Sequence, residues 1–156
     1  MIARSMHETD FETVERMAAG LHRERGESLD LERLRQSLEL LLGSPELGAV
    51  YVLDDGLQLL AYAVGTVGFS IEAGGRVLWV NALHVEPGHR ESKLALPLLD
   101  RLLAFGRRAD CRAIQLERPW HDPETDRQCG EIGFRYCSRG FWSASVAEFG
   151  QRLRAA

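Results

Sequence analysis

The stretch Leu83-His84-Val85-Glu86-Pro87-Gly88-His89-Arg90-Glu91-Ser92-Lys93-Leu94-Ala95-Leu96-Pro97-Leu98-Leu99 constrains the fold more than any other part of the chain. It reads as a buried strand that stops at Pro87, a short polar turn and an apolar helix. A helix used this way carries the chain back along the sheet, so the next strand is expected to run parallel. A helix entrance also presents unpaired backbone N–H groups and the positive end of the helix dipole, which makes the turn a natural seat for phosphate. Lys93 falls in that entrance, as the only lysine of a chain with eighteen arginines. Lysine meets phosphate as a point charge, so two readings of Lys93 stand: a phosphate contact, or a solvated surface residue.

The remaining elements fall around this unit. Residues 1–6 suit a short first strand. Thr9-Asp10-Phe11-Glu12 reads as a capping box, and Phe11, Val14, Met17 and Leu21 follow at helical spacing. Gly26 breaks that helix. Asp30 can cap a second one, with Leu31, Leu34, Leu38, Leu41 and Leu42 on its inner face and Gly43-Ser44-Pro45 at its end. Strands are expected at 49–53, 57–69 and 76–85, joined by Asp54-Asp55-Gly56 and Gly74-Gly75. A helix over 94–105 has Pro97 one turn inside it, where it is expected to bend the entrance and strand the carbonyl near residue 93. A strand at 113–117, a polar helix at 122–131, Gly133-Phe134 and two closing strands at 135–138 and 141–146 complete the order. That order, β-α-α-β-β-β-α-β-α-β-β, predicts an α/β fold. Its sheet would be mixed and mostly antiparallel, with a central β-α-β crossover and helices on both faces. At 156 residues, a single domain over 1–156 is expected.

Composition narrows the function. A net charge of −4 argues against a general nucleic-acid binder, and no apolar run reaches the length of a membrane span. The N-terminus lacks the apolar region of a signal peptide. Three cysteines, Cys111, Cys129 and Cys137, lack metal-ligand spacing and suit a reducing cytoplasm. The preference for arginine over lysine, with Asn81 as the only asparagine, fits a GC-rich bacterial coding bias. There is no Gly-x-Ser-x-Gly elbow, no Walker loop and no dinucleotide fingerprint. His84, Glu86 and His89 cluster in sequence, but alternation along a strand is expected to separate their directions, so no metal site is predicted.

The element order, together with Val85-x-Pro87-x-x-Arg90-x-x-x-x-Ala95 and the distal Gly133-Phe134, resembles the GNAT superfamily of N-acetyltransferases over essentially the whole chain. The family loop reads Arg/Gln-x-x-Gly-x-Gly/Ala. Here Arg90, Glu91, Ser92, Lys93, Leu94 and Ala95 take those places, with Lys93 where the middle glycine would stand. The resemblance implies acetyl-CoA as co-substrate and no metal. It implies that the backbone of Leu83-His84-Val85 pairs with the pantetheine arm as an extra strand would, and that the amides from Glu91 to Ala95 cradle the pyrophosphate. Family members often carry an asparagine after the next strand and, seven residues on, a tyrosine that protonates the departing thiolate. Counting back from Gly133-Phe134 puts Asp122 and Cys129 at those places. Cys129 is either that acid or a small packing residue. The strand positions that hold a general base in some members are Trp79, Asn81 and Ala82, none of which takes a proton. His84, on the strand face opposite Asn81, and His121, just past the 113–117 strand, remain as candidates beside a water chain.

The resemblance thus implies direct transfer of an acetyl group to a primary amine of a small molecule or peptide. The alternative is a non-catalytic GNAT-fold module that binds acyl-CoA or a partner protein. Expected partners are acetyl-CoA and an amine acceptor, with a homodimer allowed for and neither nucleic acid nor a membrane expected. The acceptor wall is expected from residues 22–30 and 138–140.

Overall fold

Along the strand Gly48–Asp54, Val50 and Val52 point to one side of the sheet and Tyr51 and Leu53 to the other, and all four are buried. Both faces must therefore be covered, and helices cover them. The computed structural model describes residues 1–89, 93–117 and 123–137. Residues Met1–Glu117 form one compact unit and Arg118–Ala156 a second. The first unit contains β1 (Ile2–Ser5), α1 (Phe11–Glu24), α2 (Leu31–Gly43), β2 (Gly48–Asp54), β3 (Leu59–Ser70), β4 (Gly75–Val85), α3 (Ala95–Arg108) and β5 (Cys111–Leu116). The five strands lie side by side in chain order. The first three pairings are antiparallel, and β4 and β5 run parallel on either side of α3, the crossover expected from the 83–99 unit. The second unit holds α4 (Pro123–Glu131).

One core layer joins Phe11, Val14, Met17 and Ala18 of α1 and Leu38 of α2 to Val50, Val52, Leu59 and Tyr62. The other joins Leu98, Leu102 and Phe105 of α3 to Tyr51, Leu53, Ala61, Ala63, Leu78 and Val80. Leu31 was expected on the inner face of α2 but is 46% exposed, because it opens the helix before the apolar stripe reaches the sheet. Leu57 is 96% exposed and belongs to the Asp54–Gly56 turn, so β3 starts two residues later than expected.

Helix ends follow the chemistry of their termini. The Asp30 carboxylate accepts the Arg33 N–H at 3.1 Å, the cap read from sequence. Gly26 takes φ 68°, and the Glu27 and Gly26 N–H groups close onto the His22 and Arg23 carbonyls, which ends α1. The capping box expected over Thr9–Glu12 is displaced. A short 3₁₀ turn precedes α1, and its capping carboxylate is Asp10, which accepts the His7 N–H at 2.8 Å. Pro97 does not strand the carbonyl of Lys93. It is the third residue of the helix, inside the first turn, where its missing N–H has no intrahelical partner to lose, and the Lys93 carbonyl accepts the Leu96 N–H at 3.2 Å. Arg135, Tyr136 and Cys137 form no strand among the described residues. The rest of the expected closing pair, 138 and 141–146, lies outside them.

Asp10 does more than cap. Arg4 of β1 donates to both its oxygens, at 2.7 and 3.0 Å, and also to Asp54 at the end of β2. The hydrogen bond from Arg4 holds the Asp10 carboxyl below the usual carboxylate range against the opposing effect of burial. A group whose folded value is depressed contributes stability above its unfolded value, about 3.9 for Asp, and loses it as pH falls through the folded value. Arg4→Ala is therefore expected to cost about 1–3 kcal/mol at neutral pH, since it leaves the nearly buried carboxylate short of donors. It should also flatten the loss of stability below about pH 4. Denaturant titrations at neutral and acid pH test both; an unchanged acid slope in the variant would show that Asp10 is held by other groups.

Candidate active site

The ladder between β4 and β5 covers the first half of β4 among the described residues. The β4–β5 ladder runs from Arg76↔Cys111 to Val80↔Leu116, with one further bond from the Glu117 N–H to the Val80 carbonyl at 3.3 Å. β4 itself continues to Val85 on its pairing with β3. Among the described residues the ladder to β5 reaches Val80, and the residues read as the pairing strand follow it in β4.

A bulge follows the last pair of that ladder. Val64 pairs with Ala82 and Gly65 with Val80, so Asn81 is the extra residue. Leu78 and Val80 face α3 before the bulge, and Leu83 and Val85 face α3 after it. Ala82 joins the opposite layer, with Tyr62. The bulge therefore reverses the alternation and corrects the expectation that Asn81 and His84 lie on opposite faces. Thr66 Oγ1 donates to Asn81 Oδ1 at 2.6 Å, and the Tyr62 and His84 rings lie 5.6 Å apart, with Tyr62 and Thr66 on one face of β3. Asn81, Ala82 and His84 share the α1/α2 side of the sheet.

His84 is 4% exposed. Its Nε2 lies 4.0 Å from Oε2 of Glu86, whose Oε1 accepts from Arg16 of α1 at 3.1 Å. Alternation thus brings His84 and Glu86 together instead of separating them as expected. Tyr62 is buried beside them, and desolvation pushes its phenol up to about 12, so it stays a neutral wall. Arg16 was not singled out in the sequence, because it stands seventy residues from Glu86 and only the fold joins them. Glu86 carried a signal, its two-residue spacing from His84. A cavity of about 310 Å³ opens beside this pair, lined by Arg16, Gln58, Leu60, Glu86 and His89 among others.

At the other end of the loop, Lys93 is exposed, Leu94 is the N-cap of α3, and Ala95 is its first residue. Leucine has no side-chain acceptor, and the first turn carries no acidic residue, so no side chain of α3 competes with an anion for its N-terminal amides. Arg90, Glu91, Ser92, His121 and Asp122 lie outside the described residues. In the second unit, Cys129 is half-buried on α4. Its carbonyl accepts the Phe134 N–H at 2.9 Å, the Gly130 carbonyl accepts the Gly133 N–H at 3.0 Å, and Gly133 takes φ 97°. Gly133-Phe134 is thus the C-terminal cap of α4. On the expected acceptor wall, His22 Nδ1 lies 3.1 Å from the Glu27 carboxylate, while 138–140 lie outside the described residues.

A smaller cavity, of about 150 Å³, lies between α3 and the start of β5, at the far end of the sheet from the loop. Burial pushes the thiol of Cys111 on its wall upward, which favours an inert packing thiol. Among the described residues no cluster of histidine, cysteine and carboxylate groups could hold a metal ion, and no helix is long and apolar enough to cross a membrane.

The same architecture recurs in solved structures. An integron cassette protein from the mobile metagenome of Cole Harbour Salt Marsh superposes with a TM-score of 0.78 at 24% identity, over 92% of this chain and 90% of that one. The aminoglycoside antibiotic 6'-N-acetyltransferase AAC(6')-IG from Acinetobacter haemolyticus matches with a TM-score of 0.74 at 15% identity, over 93% and 98%. AAC(6')-Iy, in complex with a bisubstrate analog, CoA-S-monomethyl-acetylneamine, matches with a TM-score of 0.74 at 18% identity, over 92% and 96%. At these identities the likeness is one of fold. No curated protein is similar enough in sequence to stand beside them. A family model matches residues 11–128, from the start of α1 through β4 and the segment after it into α4, and the chain belongs to the acetyltransferase (GNAT) family.

Proposed function

We propose that the protein transfers an acetyl group from acetyl-CoA to a primary amine of a small molecule or peptide. The observation that carries this reading is the passage from β4 into α3, a helix entrance without a side-chain cap on the way to the parallel strand β5. In this reading the backbone of Leu83–Val85 pairs with the pantetheine arm and the entrance of α3, with Lys93, takes the pyrophosphate; Arg90, Glu91 and Ser92 are assigned to it by the family loop alone. When bound, acetyl-CoA supplies the acetyl group as a thioester. The chain's residues hold the acceptor amine on the α1/α2 side of β4, take a proton from its ammonium form at His84 or His121, and return one to the departing sulfur from Cys129. Asp122, at the family's asparagine place, belongs to the cofactor side of this reading. The three cysteines, none in a disulfide among the described residues, support a reducing, cytoplasmic setting.

Thermal melts with CoA and dephospho-CoA test the binding half. At a hundredfold excess over the dissociation constant, a ligand of the folded state stabilises it by about 2.7 kcal/mol. Lys93→Ala should weaken CoA by about 1–2 kcal/mol if its charge meets a phosphate oxygen. No shift with either ligand at millimolar concentration would overturn the assignment of the loop. A panel of amines with acetyl-CoA tests the catalytic half. The non-catalytic module is favoured by Lys93 in the glycine place and Cys129 in the tyrosine place; binding without turnover on any amine would establish it.

A further inference from the structure

We propose that Gln115 and Asn81 form an acceptor subsite that reads an uncharged amide standing next to the reacting amine. The inference rests on the acetyl-transfer reading and names the acceptor class within it: an α-amino amide, free or at the end of a peptide. Trp79 pairs with Gln115 in the β4–β5 ladder, next to Leu78 and Ile114, which face α3. Alternation therefore puts Trp79 and Gln115 on the α1/α2 side of the sheet, the side that the bulge gives to Asn81. Asn81 follows the last pair of that ladder and stands two residues before Leu83, about 6–7 Å along a strand. A group held there lies a short spacer away from an acetyl arm paired with Leu83–Val85.

The Oε1 atom of Gln115 is buried and has no hydrogen-bond partner among the described residues. Leaving a buried carbonyl oxygen unsatisfied costs stability, and a leucine of similar size would fill the place without that cost. The oxygen is an acceptor, so it calls for an N–H or O–H group, and the glutamine amide turns about its soft terminal torsion to meet one. Asn81 offers the complement. Thr66 Oγ1 donates to its Oδ1 at 2.6 Å, which fixes the amide and leaves Nδ2 as the donor for a ligand. Together the two side chains match the N–H and the C=O of one amide. The Trp79 indole leaves the β5 side of the patch open. A Cβ at Gly68 would lie 2.8 Å from its Nε1, so the ring leans toward β3 and away from β5. Arg112 and Glu117, the charged residues on either side of Gln115 along β5, are both exposed. The patch itself is neutral, which suits an amide better than the ammonium groups of a polycation.

The test compares acetyl transfer to alaninamide, alanine methyl ester and isopropylamine, as kcat/KM per neutral amine. Alaninamide should exceed the ester, which lacks the N–H, by about tenfold. The ester should in turn exceed isopropylamine, which lacks the C=O as well. Alanylglycinamide keeps the amide, so its rate against alaninamide separates a free amino amide from a peptide end. Gln115→Leu should bring the amide level with the ester, through KM more than kcat. It should not lower the melting temperature, because it removes the unsatisfied oxygen; a glutamine kept for packing predicts the opposite. Asn81→Asp keeps the acceptor for Thr66 but removes the donor, and should abolish the advantage of the ester over isopropylamine. Equal rates on the three acceptors in the wild type, or a Gln115→Leu variant that keeps the preference for the amide, overturn the subsite and leave acetyl transfer standing. No turnover on any amine overturns acetyl transfer, and the subsite with it.

Discussion

Leu102→Ala is expected to destabilise the fold by about 2–5 kcal/mol, the range for deleting a large aliphatic side chain from a packed core. Leu102 is fully buried on α3, and the hollow it fills is made by a missing side chain on the sheet. A Cβ added at Gly65 would lie 2.7 Å from Leu102 Cδ2 and 3.1 Å from Leu78 Cδ1. The leucine and the glycine therefore fit as knob and notch. Gly65→Ala alone should cost about 1–3 kcal/mol by overpacking. In the double variant the new methyl enters the space the leucine leaves, so its cost should fall below the sum of the two singles. Urea titrations of the four proteins read the coupling directly. Strict additivity would mean that the two residues do not share one packing site. Gly65 adjoins the step in the β3–β4 register, so this notch also sits beside the bulge at Asn81.

That bulge shows what was legible in the sequence. Elements whose ends are set by local chemistry were readable: the Asp30 cap, the stop at Gly26, the Asp54–Gly56 turn and the parallel return after 83–99 each depend on residues a few positions apart. The bulge was written in the sequence too, as a change of phase from apolar residues at 78 and 80 to apolar residues at 83 and 85. Uninterrupted alternation missed it and put Asn81 and His84 on opposite faces. Pro97 was misjudged because its effect depends on its offset from a helix start that proline alone does not define.

The long-range ion pairs had no local signal. Arg4 with Asp54, and Arg16 with Glu86, are joined only once the sheet is formed and α1 lies across it. The candidate site divides the same way. Leu83, Val85, Lys93 and Ala95 lie where a strand followed by a helix must put them. The partners that give His84 its surroundings come from β3 and α1.

Cys129→Ala is expected to lower turnover about a hundredfold while leaving CoA affinity nearly unchanged, if the thiol returns the proton to the departing sulfur. An ordinary thiol ionises near about 8.5, close to the group it would protonate, so transfer between them is nearly balanced. A hundredfold loss corresponds to about 2.7 kcal/mol of barrier. The cap at the end of α4 makes the experiment clean. It uses the Cys129 carbonyl, the Gly130 carbonyl and the backbone of Gly133 and Phe134, none of which changes with the side chain. Cys129→Ser keeps the size and a hydroxyl donor but raises the donor's pKa far above the thiol's, so it too should be slow. A packing cysteine predicts the reverse pattern: rates within a fewfold of wild type per folded molecule, with a lower melting temperature in both variants. Parallel melts and saturation kinetics separate the two, because a lost acid lowers kcat with little change in the KM for acetyl-CoA. Rates that survive both substitutions would move the final proton to water and leave Cys129 as part of the packing of α4.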